Sequence, residues 1–239
     1  MDEKRLYDLI QEKEGYASLA FPALMRKVYV WMTLALVITG FTAYGVASSP
    51  GIITAILTNK ILFFGLIIGE LALVLSLSAA INRLSLTTAT LLFVLYSVLN
   101  GVTMSMIFLA FTMESIASVF FITAGTFAVM AFIGYVTKTD LMSLGKILFM
   151  ALIGIIIATL VNVFFVKSGT MNLIISYIGV LVFVGLTAYD SQKIKNMLIM
   201  ADSMDEGAQK MALLGSLTLY LDFINLFLYM LRIFGSSRD

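Results

Sequence analysis

The chain has 239 residues, 61% of them hydrophobic and 12% charged, with a formal net charge of +1. A soluble domain carries about 25% charged residues, so this composition belongs to an integral membrane protein, and the balanced charge offers no basic surface for nucleic acid. The sequence contains no cysteine and no histidine, which excludes disulfides, thiolate metal sites and imidazole-bound zinc or haem, and leaves proton sensing near neutral pH to carboxyl groups.

Residues 1–27 read as a polar tail. Asp2, Glu3, Lys4, Arg5, Asp8, Glu12, Lys13 and Glu14 make it too polar for the apolar core of a secretory signal. It is either a solvated tail or a surface helix with Leu6, Leu9 and Ile10 on its apolar face. Seven apolar segments follow, near Val28–Ser48, Ile61–Ile81, Leu86–Ala110, Ile116–Val136, Ile147–Val166, Leu173–Tyr189 and Met211–Phe234. Each is near the roughly 20 residues that a helix needs to cross a bilayer. None alternates polar and apolar side chains as a barrel strand does, and hydrocarbon does not tolerate unpaired backbone groups, so helices are the economical reading. The expected fold is an all-α integral membrane protein: seven transmembrane helices over 28–235, a short C-terminal tail at 236–239, and the last helix buried among the others.

The links are short. Ser49-Pro50-Gly51, Asn82-Arg83, Thr112–Ser115, Lys138-Thr139-Asp140 and Lys167-Ser168-Gly169 separate successive segments, and the longest link, about Ser191–Lys210, is mixed in charge. They leave no room for a second soluble domain. Gly65 and Gly69, four apart in the second segment, offer a place for another helix to approach closely. With the N-terminus inside, eleven of the fifteen Lys and Arg residues fall on the inner side, which favours a cytoplasmic N-terminus.

Few ionisable groups interrupt the apolar runs. Asp222 lies near the middle of the last one, where an aspartate costs roughly 2.5–3.5 kcal/mol on insertion scales. Asn225, three residues on, shares its helical face. Glu70 lies roughly 14 Å into the second segment, either as a hydrogen-bonded structural group or as part of a path. Asp190 closes the sixth segment, at the inner edge or in a site with Asp222. Arg232 lies near the end of the seventh, where long side chains reach to the surface. If Asp190 and Asp222 converge, they cannot both ionise cheaply and share a proton. Such a pair also attracts a hard cation such as calcium, which accepts carboxylate oxygens in loose geometry. Arg83, at the inner end of the second segment, either pairs with ionised Asp190 and acts as a latch or is simply a positive-inside residue.

The run Leu219-Tyr220-Leu221-Asp222-Phe223-Ile224-Asn225-Leu226-Phe227 resembles the motif of the Bax inhibitor/YccA-like, or transmembrane Bax-inhibitor-motif, family. Ala188-Tyr189-Asp190-Ser191-Gln192-Lys193-Ile194 resembles that family's sixth helix, and the seven-segment layout matches over nearly the whole chain. The resemblance implies six helices wrapped around a C-terminal seventh and a pH-sensitive calcium leak governed by Asp190 and Asp222. It places the latch on Arg83 and the family's acidic residue of the second helix on Glu70. It also allows a non-transporting regulator that binds a membrane-bound protease, with the polar tail as a recognition element. Short loops and a short tail fit a bacterial inner-membrane protein. An intramembrane aspartyl protease shares the Tyr189-Asp190 pair, but Tyr220-Leu221 stand where its Gly-x-Gly is required, so no enzyme is expected. The partners expected are the lipid bilayer, calcium and protons, with no bound cofactor.

Overall fold

The computed structural model describes residues 3–201 and 203–238, with side chains from residue 20 onward. The surface face expected from Leu6, Leu9 and Ile10 lies outside the described residues. The helices are α1 (Glu3–Ala47), α2 (Pro50–Thr58), α3 (Lys60–Ala80), α4 (Leu86–Met104), α5 (Ile107–Ala110), α6 (Met113–Val136), α7 (Met142–Val161), α8 (Gly169–Ile199) and α9 (Glu206–Phe234), with a π-helical turn at Asn162–Val166. Seven stretches among the described residues are long and apolar enough to cross a membrane: Ala20–Ala47, Lys60–Ala80, Leu86–Ala110, Met113–Val136, Met142–Val166, Gly169–Ile199 and Glu206–Phe234.

Local chemistry sets several helix ends. Asn59 accepts a hydrogen bond from the Leu62 amide at 3.1 Å and caps α3. Thr112 does the same for Ser115 at the start of α6, and Asp205 for Ala208 at the start of α9. At the α7–α8 turn, the buried Asn162 amide donates to Ser168 O and Asn172 Oδ1, and its oxygen accepts from the Ser168 amide.

Four features differ from the sequence reading. The Ser49-Pro50-Gly51 turn opens a short extra helix, because proline fits a first helical position. The third span is interrupted at Ser105-Met106, between α4 and α5. α8 runs ten residues beyond Tyr189, so the long link shrinks and Asp190 lies within the helix rather than at its end. There hydropathy falls but helical periodicity persists: Ser191, Ile194 and Leu198 are buried while Lys193 and Asn196 are exposed. Finally, a methyl group on Gly65 would meet nothing within 4 Å, and one on Gly69 only Leu99 at 3.9 Å, so neither glycine seats a close helix contact among the described residues.

The residues group into two compact units. The first comprises Met1–Ala43, Gly51–Thr103 and Ile194–Leu217. In it the Thr39 hydroxyl donates to Ser97 O at 2.9 Å, and Gly101 seats α4 against Thr39 and Thr42 of α1. Lys27 donates to Gln209 at 2.6 Å, tying α1 to α9, and Gly215 of α9 packs on Ile194 of α8. Glu206 accepts from the Leu86 amide at 2.9 Å, which satisfies a free donor at the start of α4, and also pairs with Lys210 at 3.0 Å.

The second unit comprises Tyr44–Pro50, Met104–Lys193 and Thr218–Asp239. Phe120 and Phe127 of α6 meet Phe223 of α9 edge-on, with ring centroids 5.4 and 5.5 Å apart, and Phe120 also meets Phe227. Gly134 of α6 lies directly against the Ala188 carbonyl of α8, and beside it the Ser191 hydroxyl donates to Ala131 O at 2.8 Å. Beyond α9 the chain folds back as a strap. Ser237 bridges Phe111, the Thr112 amide donates to Ser236 O, the Arg238 amide to Ala110 O and the Ser236 amide to Ser115.

The expectation for the last helix is met. In its apolar window 67% of residues are buried, against 6% for α3. It contacts α1, α4 and α8 in the first unit and α6 and α8 in the second. Large apolar side chains on α3, α6 and α7, among them Ile61, Phe121, Phe132 and Phe149, are exposed, as a hydrocarbon surrounding allows.

Gly134→Ala should therefore lower stability by about 1–3 kcal/mol or more, because the added methyl meets backbone. Gly125→Ala, on the same helix with nothing within 4 Å, should stay within about 0.5 kcal/mol of the parent. Thermal unfolding of the two detergent-solubilised variants compares them directly.

Candidate functional site

Around Asp190, consecutive residues of α8 each meet a different neighbour in the second unit. The Tyr189 ring lies on Gly145 of α7, where a side chain would collide with it. Ser191 bonds to α6, as described above. The buried Gln192 amide donates to Thr139 O at 2.8 Å and accepts from the Leu141 amide at 2.8 Å, gripping the α6–α7 link through both of its polar groups. The Lys193 ammonium stands 5.7 Å from the centroid of the Tyr189 ring. With these neighbours fixed, Asp190 faces α9.

On α9 the aromatic seam aims Phe223 at α6. Asp222, one residue earlier, is turned by about 100°, towards α8. The two carboxyl groups are hydrogen-bonded to each other and both are buried. An ionised carboxylate only accepts, so a direct bond between the two keeps one proton between them. The second oxygen of Asp222, Oδ2, is buried and has no hydrogen-bond partner among the described residues.

The pair borders a cavity of about 640 Å³ between α7, α8 and α9. The α9 wall presents Thr218, Asp222, Asn225 and Tyr229, spaced four, three and four apart, a polar ladder about 16 Å long. The facing walls are mainly apolar, with Phe149, Leu152 and Ile156 on α7 and Phe183 and Leu186 on α8. Two lysines, Lys146 and Lys193, also line it. Asn225 donates to Leu221 O at 2.8 Å, which leaves its amide oxygen for the cavity side. The Arg232 guanidinium lies exposed beside Tyr229, 5.5 Å from its ring centroid.

The structure thus brings Asp190, Asp222 and Asn225 to one cavity. Glu70 belongs to the first unit, half-buried, where it accepts from the Thr103 hydroxyl at 2.7 Å and bonds to the Asn100 side chain. Arg83 lies exposed in the turn after α3, also in the first unit. The sequence reading missed Thr218 and Tyr229. Their signal was the helical spacing from Asp222, four residues before and seven after.

Among the described residues no group of three or more Asp or Glu side chains forms a cation cage. Two carboxyl groups fall short of the six to eight oxygens that calcium takes in a closed site.

A family model described as "Inhibitor of apoptosis-promoting Bax1" matches residues 22–239. The inner membrane protein YbhL of Escherichia coli (strain K12) is 53% identical over 215 residues, which cover 90% of this chain and 92% of that protein. An uncharacterized protein of Borreliella burgdorferi is 46% identical over 234 residues, covering 98% of this chain and all of the relative. The Rickettsia prowazekii protein RP147 is 43% identical over 217 residues, 90% of each chain.

The hydrogen bond between the carboxyl groups separates two substitutions at position 222. Asp222→Asn should leave stability nearly unchanged, because the amide donates where the shared proton did. Asp222→Ala should cost about 1–3 kcal/mol, because it strands the buried Asp190 carboxyl. Thermal unfolding in detergent reads the difference.

Proposed function

Because this chain belongs to the Bax inhibitor-1 family and is a multi-pass membrane protein, we propose that it is a pH-sensitive calcium leak pathway, gated by protonation of Asp190 and Asp222. The observation that supports this reading is the carboxyl pair itself, hydrogen-bonded, buried and bordering the cavity with one oxygen unbonded. Such a pair has two competing ligands. A second proton neutralises it, and a divalent cation displaces the shared proton and is held by the oxygens.

In the proposed cycle the singly protonated pair carries one negative charge, and Arg83 acts as the latch that closes the inner end. A second proton removes that charge and releases the arginine. Calcium then moves beside α9, past Asn225 and the rest of the polar ladder. The sign follows: each proton added to the pair weakens the latch, so flux rises as pH falls. The proposed setting is a bacterial inner membrane with the N-terminus in the cytoplasm, in keeping with the lysine and arginine distribution and with the printed name of the E. coli relative.

Calcium flux into liposomes holding the purified protein tests this at neutral and acidic pH. Wild type should conduct more at acidic pH. Asp190→Asn and Asp222→Asn should flatten that dependence, and Arg83→Gln should raise flux at neutral pH. Flux no greater than in empty liposomes at either pH would overturn the leak reading.

A further inference from the structure

The cavity has a second polarity, running along α7 and α8. Its α7 wall starts at Lys146 and continues through Phe149 and Leu152 to Ile156. Its α8 wall starts at Lys193 and continues to Phe183. Each wall spans eleven residues, about 15 Å of helix, and each passes from an ammonium group to apolar side chains, on α8 by way of Asp190 and Tyr189.

The two lysines are exposed, so their ammonium groups are accessible. Phe149 is 59% and Ile156 52% exposed, so the apolar end opens sideways onto a face that hydrocarbon covers in a membrane. Lys146 makes no hydrogen bond or ion pair among the described residues, while Lys193 lies over Tyr189 and acts electrostatically on Asp190. The acidic groups facing the cavity are Asp190 and Asp222, which with one proton between them carry a single negative charge. Two ammonium groups against that charge leave the mouth net positive.

A small inorganic anion would match the positive mouth but gains nothing from 15 Å of apolar wall. One class of molecule matches both ends. We propose that this cavity binds an anionic phospholipid, its phosphate between Lys146 and Lys193 and an acyl chain along α7 past Phe149 towards Ile156. The volume, about 640 Å³, falls within the range of about 300–1,000 Å³ for small-molecule pockets, enough for the headgroup and the upper part of a chain. The chain covers the side opening, and the polar ladder of α9 is then screened from bulk hydrocarbon. This assignment stands apart from the leak reading, since it concerns binding and holds whether or not calcium passes.

Native mass spectrometry of the full chain in detergent, with equimolar phosphatidylglycerol and phosphatidylcholine, tests the proposal. Each juxtamembrane lysine favours an anionic lipid by about fivefold, so wild type should retain phosphatidylglycerol over phosphatidylcholine by about tenfold or more. Lys146→Gln/Lys193→Gln should bring the ratio to within about twofold of unity. Lys146→Arg/Lys193→Arg should restore the preference, and Lys60→Gln/Lys167→Gln, away from the cavity, should leave it unchanged. Equal retention of the two lipids by wild type overturns the proposal. So does a preference that survives the double glutamine variant, or displacement of phosphatidylglycerol by glycerol phosphate at equal concentration, which would mark a phosphate site without a lipid chain.

Discussion

A carboxyl group in the middle of the most buried helix is the constraint on which the second unit depends. Alone in an apolar helix, Asp222 would cost several kcal/mol. Asp190 meets that cost by offering another carboxyl group and retaining one proton between the two. For Asp190 to arrive there, α8 must lie close to its neighbours. Gly134 supplies the closeness on the α6 side and Gly145 on the α7 side, because a side chain at either would strike α8. The aromatic seam on the other face of α9 then fixes which way Asp222 points. Packing and polarity are thus one arrangement: the small residues are placed where they let two acids meet.

That arrangement accounts for the composition of the motif around Asp190. Tyr189, Ser191, Gln192 and Lys193 each take up a separate neighbour, and none duplicates another. Gln192 is the most economical of them. One buried side chain satisfies a carbonyl and an amide of the link between α6 and α7, groups that would otherwise be costly to bury. The wall of the cavity that α7 forms is thereby anchored within a turn of the aspartate pair.

Much of this was legible in the sequence because hydrocarbon simplifies the reading. Long apolar runs separate cleanly, and all seven spans were found. Asp222 and Asn225 stood out because polar groups in such runs are rare. Where the sequence misled, the reason is local. Asp190 was placed at a helix end because hydropathy drops there, yet α8 continues on its amphipathic period. Gly65 and Gly69 permit close packing without requiring it, and α3 leaves them open. The bond between Glu70 and Thr103 depends on the register of two helices, which neither sequence states alone. Thr218 and Tyr229 were readable in principle, since they repeat the face of Asp222, but hydroxyl groups are common enough in membrane helices to pass unnoticed.

The strap after α9 has a mechanical consequence. Three backbone groups, the Ser236 amide and carbonyl and the Arg238 amide, are engaged with the α5–α6 link, immediately beyond the helix that bears Asp222. Turning α9 about its own axis would break them together. Its neighbour α7 meets α8 through side-chain contacts: the Tyr189 ring on Gly145, Leu148 on Gly185, and Gln192 on the Leu141 amide. The helix carrying the ladder is therefore the fixed post of this unit, and the cavity changes shape at least cost when the walls move around it.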